Sequence, residues 1–279
     1  MTPVGNSLLT SLYLTFALQF LSYLISAPLR TEKFYDASGA ITFVTCTLVA
    51  LLWRREAGDS IGALSARQIV AATCVCVWTV RLGGFLAWRA SRMEDKRFDA
   101  YKHHPGKFII VWAMQAVWVY LTALPVFIVL GTPAADQPAF AALDGVGTVV
   151  YAYGLGVEIT ADVQKQLFKL RHPKEFVRVG IWRWSRYANY YGECVLWAGV
   201  FLLCVRGFVE QWMWVGVIGP VFVVALVVGV SGVRLSEKGA EERYGGRADY
   251  QEYKATTSTF FLWPPRRVEK AGEVQPEPV

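Results

Sequence analysis

Long stretches without a charged side chain alternate with short basic segments along this chain. Residues 1–29, 108–135 and 211–233 contain no Asp, Glu, Lys or Arg, and the shorter run 37–53 contains none either. A helix needs about 20 consecutive apolar residues to cross the hydrocarbon core of a bilayer. The pattern therefore predicts helices that span a membrane.

Three further apolar segments carry charges near one end. They are 69–88, with Arg81; 145–163, with Glu158 and Asp162; and 193–205, which begins with Glu193. Together with the four charge-free runs, they predict an all-α, polytopic membrane bundle of about seven spans. The alternative for the shortest, 194–205, is a half-membrane or re-entrant helix, because non-helical backbone is tolerated at membrane depth only where protein or water covers it.

The basic residues predict an orientation for this bundle. The loops after the first, third and fifth spans and the tail hold 2, 6, 7 and 8 Lys and Arg residues, against 3, 0 and 1 in the loops after the second, fourth and sixth. Positively charged loops face the cytosol. We therefore expect the N-terminus outside and the C-terminus in the cytosol.

The composition agrees with lipid as the solvent, since 54% of the residues are hydrophobic and 18% are charged. We expect one membrane-embedded domain over 1–267 and a disordered tail, rich in Glu and Pro, over 268–279. The formal charge of +6 follows from the basic loops, so nucleic acid is not an expected partner. The membrane is the endoplasmic reticulum in a eukaryote or the inner membrane in a bacterium.

Cysteine, histidine and glycine do not predict a metal or a classical nucleotide site. The five cysteines all lie in predicted spans, and the three histidines lack further Cys or His at metal-ligand spacing, so no metal site is expected. Gly145, Gly147, Gly154 and Gly156 miss the dinucleotide-binding spacing. We interpret them as small residues that let two helices approach closely.

The charges that fall within spans cluster near one leaflet. Arg81, Glu158, Asp162, Arg186 and Glu193 should all lie toward the cytosolic ends of their spans. An ionisable group inside a membrane is costly and normally faces a polar cavity. Such a cavity would suit a soluble anion such as a dinucleotide, whose phosphates arginine binds well. The alternative is a set of interhelical ion pairs and interfacial anchors.

The most informative segment is 180–193, which reads GIWRWSRYANYYGE. If a helix begins near Arg186, then Arg186, Asn189 or Tyr190, and Glu193 recur at helical spacing and share one face. A polar band that enters an apolar helix is what a polar ligand at the membrane boundary requires.

This segment resembles the steroid 5-alpha-reductase superfamily, in particular its broad branch of membrane proteins of unassigned substrate. The matching positions are Gly180, Trp182, Ser185, Arg186, Tyr187, Asn189, Tyr190, Gly192 and Glu193. Ala188 stands where proline is usual. Similar positions elsewhere are Asp162, Lys165, Phe168, Glu237, Glu241, Tyr244, Gly245, Tyr250, Tyr253 and Thr257.

The resemblance implies an all-helical reductase that binds NADPH from the cytosolic side and reduces an activated carbon–carbon double bond in a lipid or steroid-like substrate. It implies these cofactor-binding residues: Arg81, Asp162, Lys165, Arg186, Tyr187, Asn189, Tyr190, Glu193 and Arg234. Arg81 is the weaker member of that set. Arg234 ends the last predicted span and could instead extend its charge to the interface.

Reduction of an enone also needs a group that polarises the carbonyl oxygen. The candidate catalytic residues are Tyr35 and Asp36, with Glu32 as a weaker third. The alternative roles of Tyr35 and Asp36 are an interfacial anchor and a helix N-cap. The family tyrosine expected on the third span is replaced, because Trp78 stands three residues before Arg81. That departure weakens the expectation of a steroid substrate.

Two other functions remain open from the sequence. An isoprenylcysteine carboxyl methyltransferase-like enzyme would bind S-adenosylmethionine, but Tyr187 and Ala188 replace the His-Pro of that motif. A non-catalytic lipid-binding or transport protein is the third possibility, although no internal repeat supports a transporter.

Overall fold

A computed structural model of the chain describes residues 2–52, 64–90 and 98–266, and the predicted tail over 268–279 lies outside them. These residues form helices joined by turns, with no β-strand among them. The α-helices are α1 Pro3–Leu29, α2 Tyr35–Leu52, α3 Ala66–Ala90, α4 Pro105–Thr122, α5 Leu124–Gly131, α6 Ala142–Arg171, α7 Ala188–Val205, α8 Ile218–Val224, α9 Val233–Tyr244 and α10 Ala248–Thr256. Short 3₁₀ helices at Ala134–Asp136, Gly180–Arg183 and Gln211–Val217 and a π-helix at Ala225–Val230 complete the set.

Within the described residues, five helices are long and apolar enough to cross a membrane. They are α1, α2, the Ala66–Leu86 part of α3, α7, and the stretch Gln211–Tyr244 that ends with α9. A bent pair, α4 with α5, would add a sixth. The all-α prediction is confirmed, whereas the seventh span and the orientation stay predictions. The missing span is α6, whose apolar stretch is interrupted by Glu158 and Asp162.

The predicted fourth span is two helices rather than one. The axes of α4 and α5 differ by 54°, and the break falls at Ala123, two residues before Pro125. A proline has no N–H to donate and its ring crowds the preceding turn, which explains a break at this point. All eight residues of α5 are buried. The Gln68 side-chain amide donates to carbonyls at the end of α5 and so satisfies groups that a helix end leaves open.

Tertiary contacts divide the chain into two compact units, and each is described by itself. The first unit comprises Met1–Ala152 and Val195–Val224, and the second comprises Tyr153–Cys194 and Ala225–Val279. Helices α6 and α7 therefore contribute residues to both. The prediction of one domain over 1–267 stays a prediction.

In the first unit, α1 packs against α2, α4 and α5, and α2 packs against α3. A buried ion pair joins Arg67, at the start of α3, to Asp144, at the start of α6; their side chains are 1% and 0% exposed. Arg67 Nε lies 2.7 Å from one carboxylate oxygen and Nη2 lies 3.0 Å from the other. Arg67 Nη1 also donates to Gln137 and to the carbonyl of Pro138. Such a pair is costly to bury unless its hydrogen bonds are satisfied, as they are here.

Small residues let α6 and α7 approach closely in both units. A Cβ added at Gly147 would lie 2.8 Å from the carbonyl oxygen of Gly199 in the first unit. In the second unit, a Cβ added at Gly192 would lie 2.7 Å from the carbonyl oxygen of Gly154. The predicted packing role is thus confirmed for Gly147, whereas for Gly154 it stays a prediction. It is wrong for Gly145 and Gly156, because an added Cβ at either would meet no atom within 4 Å among the described residues.

Candidate functional site

The motif segment is fixed to its neighbours in the second unit by Trp182, whose side chain is only 2% exposed. Its indole Nε1 donates to the carbonyl of Ala161 on α6 at 2.9 Å, and its own carbonyl accepts a bond from the Tyr253 hydroxyl on α10 at 2.6 Å. Gly180, which precedes it, has a φ of +56°, a conformation that glycine adopts at little cost. The turn before α7 is therefore held from two sides.

The C-terminal strap, which we define as residues 257–263, runs beside the same turn. The Arg186 N–H donates to the carbonyl of Ser258 at 2.9 Å, and the Ser185 hydroxyl donates to the carbonyl of Phe260 at 2.8 Å. Helix α7 begins at Ala188, two residues later than the predicted start near Arg186. The Tyr187 N–H donates to the Ser185 hydroxyl at 3.2 Å, so a side chain satisfies this donor in the turn that precedes the helix.

The Arg186 side chain is buried and held by two other elements of the second unit. Its Nη1 forms an ion pair of 2.5 Å with the Glu237 carboxylate on α9, and its Nη2 donates to the Thr259 hydroxyl of the strap at 2.7 Å. Its Nε is buried and has no hydrogen-bond partner among the described residues. Both terminal nitrogens of this arginine are thus engaged by the protein, so Arg186 is an organising residue of the cluster.

Two tyrosines extend this cluster along the start of α7. The rings of Tyr187 and Tyr190 are stacked, with centroids 5.9 Å apart and planes inclined by 15°. The Tyr190 hydroxyl lies 3.2 Å from the Ser236 hydroxyl on α9. Burial, together with the nearby Glu237 carboxylate, raises the pKa of Tyr187 well above its usual range. The Tyr187 phenol therefore stays protonated at physiological pH and acts as a hydrogen-bond donor.

The predicted amide and carboxylates lie on the facing parts of α6 and α7. Asn189 and Glu193 are one turn apart on α7 and both are partly buried, while Glu158 and Asp162 on α6 are 3% and 8% exposed. The close contact of Gly192 with the Glu158 backbone sets these two turns against each other. The Asn189 side-chain oxygen Oδ1 is buried and accepts no hydrogen bond from the described residues.

Lys165 and Arg234 belong to the second unit but lie at its surface. Lys165 is exposed, and its Nζ is 5.2 Å from the centroid of the Trp182 ring, a cation–π contact. Arg234 is the second residue of α9 and is also exposed. Both remain candidate ligands for an anion.

The other three predicted residues belong to the first unit. Tyr35 is the first residue of α2, packs against the ring of Trp112, and donates from its hydroxyl to the carbonyl of Val111 at 3.3 Å. Asp36 lies in the first turn of α2, where a carboxylate is favoured by the helix dipole. Arg81 is partly exposed on α3.

Sequence reasoning missed the contributions of Ser236 and Thr259 and the partner of Arg186. Glu237 was noted only as part of the family pattern, and it lies 51 residues from Arg186 along the chain. A usable signal existed, because a buried arginine needs a carboxylate and the pattern supplies Glu237. No sequence signal marks Thr259, whose role depends on the path of the strap.

Apolar helices of membrane-spanning length with a buried polar cluster at the start of α7 define the class: an integral membrane helical bundle with a polar site at a helix entrance. The chain belongs to the family described as "Protein of unknown function (DUF1295)", whose model matches residues 22–257. This family is related to steroid 5-alpha-reductase-like membrane proteins. No curated protein and no solved structure matches the chain significantly. The matched range includes every predicted site residue and ends at Thr257, the first residue of the C-terminal strap.

Proposed function

We propose that the chain is a membrane-embedded reductase that uses NADPH to reduce an activated carbon–carbon double bond in an apolar substrate. The observation that carries the proposal is the polar cluster at the start of α7, where Arg186, Glu237 and Tyr190 surround a helix turn. This turn carries the buried amide oxygen of Asn189, which has no hydrogen-bond partner in the part of the chain that the structure describes. A buried acceptor without a partner is destabilising unless something else donates to it. A bound ligand with an N–H group would supply that donor.

The chemistry of this cluster fits the nicotinamide ring of NADPH, which is uncharged and carries a carboxamide. Asn189 Oδ1 offers an acceptor and Arg186 Nε offers a donor, and a carboxamide presents the complementary N–H and C=O groups. Phosphates do not fit the same place, because Glu158 and Asp162 are acidic and the terminal nitrogens of Arg186 are already engaged. We therefore assign the phosphates to the surface residues Lys165 and Arg234 of the second unit, and Arg81 stays a cofactor residue expected only from the family resemblance.

NADPH, when bound, supplies the hydride. The residues of this chain hold and orient the reactants: Asn189 and Glu193 would contact the nicotinamide half, and the Arg186–Glu237 pair would keep the turn in place. Tyr35 and Asp36, in the first unit, stay the residues that the family resemblance gives for polarising a substrate carbonyl. To reach a substrate, the Tyr35 hydroxyl would give up its bond to the Val111 carbonyl and donate to the substrate carbonyl instead. At 3.3 Å the bond to Val111 is longer than a usual O–H···O bond and is therefore weak.

Nucleotide binding to the detergent-purified protein tests this proposal. NADPH should raise the melting temperature more than NADH, because basic residues can bind its extra phosphate and a ligand that binds more tightly stabilises the folded state more at equal concentration. The shift should be lost in Asn189→Ala and kept in Asn6→Ala, which changes the only other asparagine, an exposed one on α1. A shift with S-adenosylmethionine alone would favour a methyltransferase, and no shift with any nucleotide would favour a non-catalytic protein.

A further inference from the structure

Three large aromatic side chains of the second unit are exposed around the start of α7. Trp184 is 49% exposed, Phe261 is 67% exposed and Trp263 is 68% exposed. A single exposed aromatic side chain is ordinary, but a contiguous group of them marks a contact with another protein or with a membrane. We call these three residues the aromatic patch.

The aromatic patch forms because the C-terminal strap runs beside the turn that precedes α7. The Trp263 N–H donates to the carbonyl of Trp184 at 3.2 Å, which places the two tryptophans side by side along the backbone. The Phe261 ring packs against the ring of Phe260, with centroids 5.4 Å apart. Residues 77 to 79 positions apart in the sequence are thus brought to one place on the surface of the second unit.

The ring of Tyr191 relates the aromatic patch to the membrane. Tyr191 is the fourth residue of α7, a helix that is long and apolar enough to span a bilayer. Its ring lies 5.7 Å from the ring of Phe260 and 6.3 Å from the ring of Phe261, edge to face in both cases. Phe261 therefore lies level with the first turn of a spanning helix, where the hydrocarbon core gives way to the lipid headgroups.

The residue types at this level suit the headgroup layer better than a soluble protein. Tryptophan is enriched at membrane–water interfaces, because its ring is apolar and its indole N–H can donate to a headgroup or to water. Arg183, next to Trp184, and Arg266, three residues after Trp263, are exposed as well, and arginine pairs with lipid phosphates. A soluble protein could cover Phe261 only by displacing lipid from the first turn of α7.

We propose that the aromatic patch inserts into the headgroup layer of the membrane that the chain spans, so that the C-terminal strap is bound to lipid on one side and to Arg186 on the other. On the protein side, the Thr259 hydroxyl accepts from the Arg186 side chain and the Ser258 carbonyl accepts from its N–H. Lipid contact thus helps to hold the turn that carries Arg186. The partner is the lipid surface itself, and the inference requires no nucleotide.

The test measures the depth of spin labels in nanodiscs of phosphatidylcholine and phosphatidylglycerol. Labels are attached to Phe261→Cys, to Trp263→Cys and to the control Glu252→Cys, and labelled wild type gives the background from the native cysteines. Oxygen concentrates in the bilayer, whereas a water-soluble nickel chelate stays in solution. The ratio of oxygen to nickel collisions should be several times larger at positions 261 and 263 than at 252, an exposed position on the short, polar helix α10 of the same unit.

A second measurement uses the unchanged chain, so that the test stays decisive if a cysteine variant misfolds. A phosphatidylcholine with a photoreactive diazirine near its glycerol backbone is added to the nanodisc, and the cross-linked residues are identified by mass spectrometry. Lipid adducts should occur on Trp184 or on the strap and should be absent from α10. Melting temperatures establish which of the cysteine variants are folded.

Three results would overturn the proposal. A collision ratio at 261 and 263 as low as that at 252 would place the aromatic patch in water. Exclusion of both oxygen and nickel would mean that protein covers it, such as a second copy of the chain. The third is a wild-type protein without lipid adducts on Trp184 or the strap. Failure of NADPH to bind would remove the reductase and leave all of these measurements unaffected.

Discussion

Adding one methyl group at Gly192 should loosen the helix pair that carries the candidate site. In Gly192→Ala, the new Cβ would lie 2.7 Å from both the backbone nitrogen of Glu158 and the carbonyl oxygen of Gly154, and 3.0 Å from the Glu158 Cα. Favourable contacts between carbon atoms are about 3.5–4.0 Å long. The obstructing atoms are backbone atoms of α6, which no side-chain rotation can move away.

The magnitude follows from two opposing effects. Helices α6 and α7 must separate locally by roughly 0.5–1 Å, and overpacking of this kind costs about 1–3 kcal/mol. Replacing a glycine inside a helix by alanine returns about 0.5–1 kcal/mol through backbone entropy. We therefore expect a net loss of about 1–2 kcal/mol, which corresponds to a melting temperature lower by about 2–6 °C.

The matched control is Gly156→Ala, on the facing helix of the same unit. An alanine Cβ there would meet no atom within 4 Å among the described residues, so only the entropic gain applies. This variant should melt about 1–4 °C above wild type. Both variants should be compared in one detergent at one heating rate, since unfolding of such proteins is often irreversible. A Gly192→Ala protein as stable as wild type, or a Gly156→Ala protein equally destabilised, would refute the close packing of α6 and α7.

Three further predictions follow. If Asn189 and Glu193 contact the same ligand, then Asn189→Ala and Glu193→Gln should each reduce turnover sharply, and the double variant should lose much less than the product of the two losses. Glu237→Gln should lower the free energy of unfolding by about 3 kcal/mol, because it leaves the buried Arg186 guanidinium without its counter-ion. The basic segment 164–184, which comprises the end of α6 and the residues after it, should face the cytosol, so cysteines introduced there should react with an impermeant reagent only after the membrane is opened.

Each of these predictions has a control. Normal NADPH affinity and turnover in folded Asn189 or Glu193 variants would exclude a shared site, and loss of folded protein would indicate a structural role instead. Glu242→Gln changes an exposed carboxylate on the same helix as Glu237 and should leave stability unchanged. Labelling of segment 164–184 in intact cells would contradict the predicted orientation.

The sequence predicted the elements whose signals are local. Charge-free runs predicted α1 and α2, and an apolar segment with one arginine predicted the α3 region. The polar motif predicted that Arg186, Tyr190 and Glu193 lie at the entrance to a helix. Small residues predicted the close approach of α6 and α7 at Gly147. In each case a few neighbouring residues carry enough information, because length, charge and helical spacing are properties of a short segment.

The features that the sequence did not predict depend on distant residues. The Arg186–Glu237 pair joins positions 51 apart, the Thr259 contact joins positions 73 apart, and the buried Arg67–Asp144 pair joins positions 77 apart. Arg67 was counted as one basic residue of a loop, because nothing near it in the sequence indicates a buried partner. The bond from the Arg186 N–H to the carbonyl of Ser258 likewise joins positions 72 apart.

The central claim is hydride transfer from NADPH, and isotope transfer tests it most directly. The purified protein would be incubated with NADPH deuterated at the transferable C4 position and a lipid extract of its own membrane, and the lipids would be analysed by mass spectrometry. The account predicts a lipid product with one deuterium bound to carbon, absent when Asn189→Ala replaces the wild type. A lipid pool without carbon-bound deuterium would contradict it. So would the transfer of a labelled methyl group to a lipid in a parallel reaction that contains S-adenosylmethionine in place of NADPH.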